Sequence, residues 1–195
     1  MPGKQEQFYS KQFLQLLVAK DETAFQMLYE HTVDSFYRFL KSSYRIDEAS
    51  IQDILSDTFL KIRNNLEYLQ EQQNTQSYLW TILRNTSKDY FKKTKEVAFS
   101  ELDHQNSDED SIKFEDNIVD PEDVAELFNI QFQSEKIQKA IYELDNKYQE
   151  AVVLKFIEGY DNEEISGILN ISEDNVRQRI SRGLSKLRDI LQDQK

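Results

Sequence analysis

The C-terminal part of the chain carries a hydrophobic repeat that an amphipathic α-helix would bury along one stripe. Apolar side chains recur there at spacings of four, four, three and four residues, at Val176, Ile180, Leu184, Leu187 and Leu191. Such spacing is typical of a helix with one buried face. Ser172 precedes the repeat as a candidate N-cap, and two carboxylates follow in the first turn, where they suit the helix dipole. The pattern therefore predicts a long helix that begins just after Ser172.

A shorter helix is predicted immediately before it. Asp161 and Glu164 have the spacing of a capping box, in which side chains and backbone donors satisfy each other. Asn170 tolerates the left-handed conformation that ends many helices. The intervening apolar residues share one face. The two helices together predict a helix-turn-helix.

The outer face of the second helix is polar and basic. It holds Asn175, Arg177, Gln178, Arg179, Ser181, Arg182, Ser185, Lys186 and Arg188. Arginine pairs with guanine edges, asparagine and glutamine pair with adenine, and both lysine and arginine contact phosphates. The face is therefore typical of a helix that docks in the major groove of DNA. The alternative is an amphipathic hairpin whose basic face is only solvated.

Composition favours an all-α fold with two small helical domains. The chain has two prolines and four glycines in 195 residues, and its apolar residues recur with helical spacing. It contains no cysteine, which excludes disulfides and thiolate metal sites and is compatible with the cytoplasm. There is no apolar run long enough to span a membrane and no signal-peptide segment. No motif calls for a cofactor.

The net charge of −12 is distributed unevenly. Residues 96–126 hold twelve acidic residues against one basic residue, Lys113, so this segment alone carries −11. Residues 77–95 carry +4 and residues 172–195 carry +2. Two basic surfaces are thus separated by one acidic segment. The acidic total does not argue against nucleic-acid binding.

The acidic segment divides the chain into two predicted domains, residues 8–95 and residues 127–195. Because residues 96–126 have few apolar side chains, they cannot bury enough surface to offset the entropy of ordering, and we expect a flexible linker. One interpretation is a solvated tether. The other is an acidic strand that occupies a basic channel on a partner.

The N-terminal domain has two informative helices. Asp47 is a candidate cap for the first, whose apolar stripe is Ile51, Ile54, Leu55, Phe59 and Ile62, widened by Leu60. A polar stretch after it, residues 66–76, is predicted to contain a loop. The second helix, capped by Ser77, mixes basic residues with Tyr78, Trp80, Tyr90 and Phe91.

Basic grooves with aromatic platforms bind single-stranded nucleic acid, and stacking contributes roughly 1–3 kcal/mol per base. The alternative for each aromatic residue of this second helix is core packing. For Trp80 the sequence leaves the two equally open.

The order and spacing of these motifs resemble a bacterial RNA polymerase sigma factor of the extracytoplasmic-function group. The resemblance covers nearly the whole chain. It is carried by AFQMLYEHTVDSFYRFL, IQDILSDTFLKI and SYLWTILRNTSKDYFKK in the first domain, and by residues 148–188 in the second. It implies sigma region 2 for residues 8–95 and sigma region 4 for residues 127–195. The chain departs from the usual family pattern at Asp174-Asn175 and at Gln178.

The resemblance also implies roles for particular residues. Core polymerase would be contacted by Asp53, Ser56, Asp57 and Lys61. The non-template strand of the minus-ten element would be bound by Trp80, Arg84, Asn85, Lys88, Asp89 and Lys92, with a flipped base held by Asn74, Thr75 and Gln76. The minus-thirty-five duplex would be read by Ser172, Asn175, Arg177, Gln178, Arg179, Ser181, Arg182 and Lys186.

The resemblance further implies that the acidic linker threads toward the polymerase active centre. Its implied partners are core polymerase, promoter DNA and an anti-sigma factor.

Two other classes of function compete with this one. A stand-alone helix-turn-helix regulator usually dimerises to read two half-sites, and it would not need the basic aromatic helix. An enzyme would need acid/base carboxylates such as Glu163 and Glu164, or residues 108–110, but these are better explained as helix-start and linker residues. His31 and His104 lack partners at metal-ligand spacing. We therefore expect no catalysis by the chain itself.

Overall fold

A computed structural model of the chain describes residues 9–71, 74–98 and 135–193. Within these ranges every regular element is helical, which confirms the all-α prediction. The elements are α1 (Lys11–Val18), α2 (Glu22–Ser43), α3 (Glu48–Asn64), a 3₁₀ helix (Leu66–Glu71), α4 (Thr75–Ala98), α5 (Glu135–Tyr142), α6 (Asn146–Phe156), α7 (Asn162–Leu169) and α8 (Glu173–Asp193). The first three residues of the expected linker, 96–98, belong to the end of α4. The rest of the linker lies outside the described residues, and so does the prediction that it is flexible.

Helices α1 to α4 pack around an apolar core. Phe36 on α2, Ile54 on α3 and Leu83 on α4 are almost wholly buried. The α3 helix begins as predicted, because the carboxylate of Asp47 accepts a hydrogen bond from the amide of Ser50 at 2.9 Å. All five residues of its predicted stripe are buried. The buried stripe therefore holds α3 in place with its polar side facing solvent.

Two local predictions in this domain were wrong. Leu60 does not widen the stripe: it is 57% exposed, because the helical turn places it on the outer face. The cap of α4 is Asn74, whose side chain accepts from the amide of Ser77 at 2.9 Å, so the helix begins before Ser77. The polar stretch begins with a 3₁₀ helix, which forms because Leu66 and Leu69 are buried, with the element packed against α1, and residues 72–73 of the predicted loop lie outside the described residues.

Helices α5 to α8 form the predicted helix-turn-helix with two supporting helices. Both hydrogen bonds of the capping box between Asp161 and Glu164 are present. Asn170 has a φ of 55°, in the left-handed region, and Ser172 accepts from the amide of Asn175 at 3.3 Å. Of the α8 stripe, Val176, Ile180, Leu184 and Leu187 are buried and Leu191 is half-buried.

The α8 stripe packs directly on α6. At Gly183 a Cβ atom would lie only 2.7 Å from Val152 Cγ2. The two helices can approach this closely because glycine has no side chain. The geometry is that of a folded domain with α8 on its surface.

The described part of the chain contains no helix that is both long enough and apolar enough to cross a membrane.

Candidate nucleic-acid interface

The start of α8 presents three of its predicted reading residues fully to solvent and four partly. Ser172, Asn175 and Arg177 are exposed, while Gln178, Arg179, Ser181 and Arg182 are half-buried along the adjoining side. Lys186, further along, turns away toward α6: its ammonium lies 2.6 Å from the carboxylate of Asp145 and 4.9 Å from the centre of the Tyr148 ring. The seven predicted reading residues that are left, Ser172 to Arg182, lie together at the start of α8.

Arg177 already has two acidic partners on its own helix. Its guanidinium lies 2.6 Å from Asp174 and 3.4 Å from Glu173, and the hydrogen bond with Asp174 raises the pKa of Arg177 above its ordinary value. Among the described residues no ion pair involves Arg179 or Arg182. The positive charges without a carboxylate partner in the described structure are therefore those of Arg179 and Arg182, which follow Arg177 on α8.

The outer face of α4 is a polar stripe. Asn85, Lys88, Asp89 and Lys92 are all exposed, and their spacing places them on one side of the helix. Asp89 also accepts from the ammonium of Lys61 on α3 at 3.0 Å. This ion pair links the helix predicted to bind the strand with the helix predicted to dock on polymerase.

The inner face of α4 carries the other two predicted strand contacts. Trp80 is 1% exposed, and its ring lies 4.9 Å from that of Phe36 and 5.1 Å from that of Phe39. Its indole N–H donates to the Tyr160 hydroxyl at 3.2 Å. In this arrangement a nucleotide has no access to the indole ring.

Arg84 is turned toward the C-terminal domain. It donates to the backbone carbonyl of Ile168 at 3.1 Å and to the Glu150 carboxylate at 2.7 Å. Its Nε atom is buried with no hydrogen-bond partner within the described residues. Arg84 therefore does not lie on the polar stripe with Asn85 and Lys88.

The other aromatic residues of α4 serve packing. The Tyr90 hydroxyl hydrogen-bonds to the Ser50 hydroxyl at 2.8 Å, and the Phe91 ring lies 4.8 Å from that of Tyr44. Tyr78 is half-buried against the core. Packing against other side chains of the protein therefore accounts for each of these three rings.

The predicted base pocket lies under α7. Thr75 is buried, Gln76 is half-buried, and Asn74, which caps α4, is exposed. Burial is the main cause that raises the pKa of Tyr160, so its hydroxyl is neutral over the physiological range. A Cβ at Gly167 would lie 2.6 Å from Ser77 Oγ. The helix-turn-helix therefore contacts the start of α4 beside Ser77 and leaves Asn74 exposed.

The predicted docking face on α3 includes one residue that the sequence analysis assigned to the core. Asp53, Ser56 and Asp57 are exposed, and Leu60 continues the same face three to four residues later. The sequence already indicated that Leu60 lies on this face, since Leu60 follows Asp53 and Asp57 at helical spacing. An exposed leucine among carboxylates is suited to contact another protein.

No group of three potential metal ligands occurs within the residues that the structure describes. His31 is exposed, with its ring 5.9 Å from that of Tyr9. Glu164 completes the capping box and Glu163 lies in the same first turn, as predicted. His104 and residues 108–110 lie outside the described residues.

Fold and surfaces together define an all-helical protein with a helix-turn-helix in its C-terminal part. The family model of Sigma-70 region 2 matches residues 28–97, and that of Sigma-70 region 4 matches residues 134–187. RNA polymerase sigma factor SigZ of Bacillus subtilis is 32% identical over 82% of this chain and 84% of its own length. The ECF RNA polymerase sigma factor SigX of the same organism is 25% identical over 86% and 83%. The chain belongs to the extracytoplasmic-function group of the sigma-70 family of RNA polymerase sigma factors.

Two solved structures share the fold. CnrH in complex with the cytosolic domain of CnrY superposes with a TM-score of 0.67 at 18% identity, covering 96% of this chain and 99% of CnrH. The sigma factor RpoE of Bartonella quintana, in complex with the anti-sigma factor NepR, gives 0.61 at 17% identity, covering 88% and 98%. At this level of identity the likeness concerns the fold.

Proposed function

We propose that the chain directs promoter-specific initiation as a dissociable subunit of RNA polymerase, working in the cytoplasm and leaving the chemistry of RNA synthesis to the core enzyme. The observation that carries this proposal is the pairing of Lys61 with Asp89. It sets the candidate docking face of α3 beside the candidate strand-binding stripe of α4. The same chain presents a reading helix, α8. A stand-alone regulator needs only the last of these surfaces.

Each surface then has a role. On α3, Asp53, Ser56, Asp57 and Leu60 contact core polymerase, with Lys61 fixing α4. On α4, Asn85, Lys88, Asp89 and Lys92 follow the non-template strand of the minus-ten element, with Arg84 and the pocket residues Asn74, Thr75 and Gln76 beside them, while Trp80 stays in the core. On α8, Ser172, Asn175, Arg177, Gln178, Arg179, Ser181 and Arg182 read the minus-thirty-five duplex, and Lys186 contacts phosphate. Residues 8–95 and 127–195 form the two functional units, joined by residues 96–126.

The charge distribution fits a subunit that depends on core polymerase. Phosphate contacts supply most of the affinity of proteins for DNA, and the two basic surfaces of this chain carry only +4 in residues 77–95 and +2 in residues 172–195. The free chain should therefore bind duplex poorly. In the holoenzyme, the core supplies the positive surface.

An anti-sigma factor is the third proposed partner. Both structural neighbours were solved in complexes, CnrH with the cytosolic domain of CnrY and RpoE with the anti-sigma factor NepR. We expect a protein of this class to bind the present chain and to compete with core polymerase for it.

A gel shift with and without core polymerase tests the proposal against a stand-alone regulator. Labelled genomic promoter fragments are incubated with the full-length chain, with core, and with both. We expect a specific shifted complex only when both are present. Tight, sequence-specific binding by the free chain would contradict the proposed function and favour the regulator.

Removing side chains from the docking face should weaken holoenzyme assembly without unfolding the chain. Asp57→Ala removes an exposed carboxylate, and Leu60→Ala removes an apolar contact that nothing in the described structure covers. Because both residues are exposed, stability should change by only about 0.5 kcal/mol or less. Co-purification with tagged core polymerase measures the loss of assembly.

The matched control for this experiment is Glu67→Ala, which removes an equally exposed carboxylate from the 3₁₀ helix. It should co-purify like the wild type. If Asp57→Ala and Leu60→Ala assemble as well as Glu67→Ala, α3 does not present the docking face.

A further inference from the structure

One exposed carboxylate at the start of α8 has no role in the proposed function. Asp174 is the second residue of the helix, and its side chain is 88% exposed. It is also one of the positions at which the chain departs from the usual pattern of the family. A carboxylate is repelled by the phosphates of DNA, so its presence on a duplex-reading helix calls for a physical reason.

The helical rotation places Asp174 on the side of α8 that faces away from the core. Val176 is buried, and two residues correspond to about 200° of rotation at about 3.6 residues per turn. Asp174 therefore lies opposite the buried stripe, with Gln178 and Ser181 following on the same side. The N-terminal residues of a recognition helix are those that contact base edges. A helix that brings Gln178 and Ser181 to the bases therefore brings Asp174 to them as well.

In the free chain the charge of Asp174 is balanced by Arg177. Oδ1 of Asp174 accepts a hydrogen bond from Nη2 of Arg177 at 2.6 Å. The other carboxylate oxygen, Oδ2, makes no hydrogen bond to any of the described residues. Both side chains are largely exposed, and an ion pair in water stabilises a protein little, because both charges are solvated and screened. The pair can therefore be exchanged for contacts with bases at small cost.

An ionised carboxylate distinguishes the four bases in the major groove, because it accepts hydrogen bonds and donates none. Cytosine presents its N4 amino group there, whereas guanine presents the acceptors N7 and O6 and thymine presents the acceptor O4. Adenine presents an amino group with the acceptor N7 beside it, and that nitrogen would repel the second carboxylate oxygen. Cytosine is therefore the base that a carboxylate selects.

We propose that Asp174 is a specificity-determining residue of the minus-thirty-five contact, where its carboxylate accepts a hydrogen bond from N4 of a cytosine. The inference rests on the proposed function, since it concerns the same duplex-reading helix. When the pair with Arg177 opens, it supplies one acceptor and one donor group, which fit a cytosine and a guanine. Side chains three residues apart on a helix have Cβ atoms about 5–6 Å apart, against about 3.4 Å per base-pair step. The cytosine therefore lies within two steps of the guanine that Arg177 binds.

The neighbouring carboxylate, Glu173, separates a base contact from an effect of charge alone. Both carboxylates lie in the first turn of α8, where they suit the helix dipole, and both pair with Arg177. Glu173, however, is three residues before Val176, which is about 300° of rotation and places it beside the buried stripe. Its side chain is 48% exposed. Removing the charge of Glu173 should therefore change electrostatics without changing base preference.

Transcription from a barcoded promoter library tests the proposal in the holoenzyme. A genomic fragment from which the full-length chain initiates with core polymerase is randomised across the minus-thirty-five element, and a barcode in the transcribed region identifies each template. Counting barcodes in the RNA and in the template DNA gives the base preference at each position. The library is transcribed with the wild type, Asp174→Ala, Asp174→Asn, Glu173→Gln and Arg177→Ala.

The wild type should prefer cytosine at one position, within two base pairs of the position whose guanine preference is lost in Arg177→Ala. Asp174→Ala should reduce the cytosine preference about tenfold and leave the other positions unchanged. Asp174→Asn should shift the preference from cytosine to adenine, because an amide pairs with N6 and N7 of adenine. Asp189→Asn makes the same substitution at an exposed position about four turns further along α8, and as the matched control it should keep the wild-type preference.

Two results would overturn the assignment of Asp174 while the proposed function stands. The first is a wild-type preference that contains no such cytosine, or one that is unchanged in Asp174→Ala and Asp174→Asn. The second is a uniform change across all templates that Glu173→Gln reproduces, because the carboxylate would then act through its charge alone. If the wild type adds no transcripts to those of core polymerase on any genomic fragment, the proposed function itself fails, and the assignment fails with it.

Discussion

Replacing Trp80 by alanine is expected to lower the free energy of unfolding by about 3–5 kcal/mol, the range observed for large aromatic residues in cores. The indole is 1% exposed and packs edge-on against Phe36 and Phe39. Its loss would leave a cavity at the centre of α2 and α4, and the Tyr160 hydroxyl would lose its donor. Urea denaturation followed by far-UV circular dichroism measures the change.

The control for this substitution is Tyr68→Ala, which removes an aromatic ring that is 54% exposed. We expect it to change stability by no more than about 0.5 kcal/mol. If Trp80→Ala is as mild as Tyr68→Ala, the indole does not belong to the core. That result would favour stacking of the Trp80 indole on a DNA base instead.

Arg182→Ala is expected to reduce transcription that depends on the minus-thirty-five element, while assembly with core polymerase is unchanged. A base-edge contact by arginine is worth roughly 1–3 kcal/mol of discrimination. No local carboxylate pairs with Arg182 within the described residues, so its full charge is available to DNA. Run-off transcription from promoters with and without an intact minus-thirty-five element measures the effect.

Arg177→Ala should give a smaller loss in the same assay. The Arg177 guanidinium is already paired with Asp174 and Glu173, and those contacts must be exchanged before a base edge can be bound. Arg45→Ala is the matched control, since it removes an exposed arginine that lies outside α8. Normal transcription by both Arg177→Ala and Arg182→Ala would show that α8 does not read the element through these residues.

Local signals predicted the helix-turn-helix well. The capping box at Asp161, the left-handed Asn170 and the cap at Ser172 each act within a few residues, so their effect can be read from the sequence. The α8 stripe was found for the same reason. Such short-range rules do not depend on the rest of the fold.

Long-range contacts could not be predicted in the same way. Trp80 bonds to a residue 80 positions away, and Arg84 to residues 66 and 84 positions away. The sequence around Arg84 does not distinguish it from Asn85 or Lys88. In the structure, however, Arg84 faces the C-terminal domain, whereas Asn85 and Lys88 face solvent. Leu60 was misassigned by treating every apolar residue of α3 as core.

Transcription in vitro with purified core polymerase on a library of genomic fragments, followed by mapping of the RNA 5′ ends, tests the central claim most directly. We expect initiation at start sites that appear only when the chain is added and that share two sequence elements, centred about 10 and 35 base pairs upstream. A pattern of start sites identical to that of core polymerase alone would contradict the account.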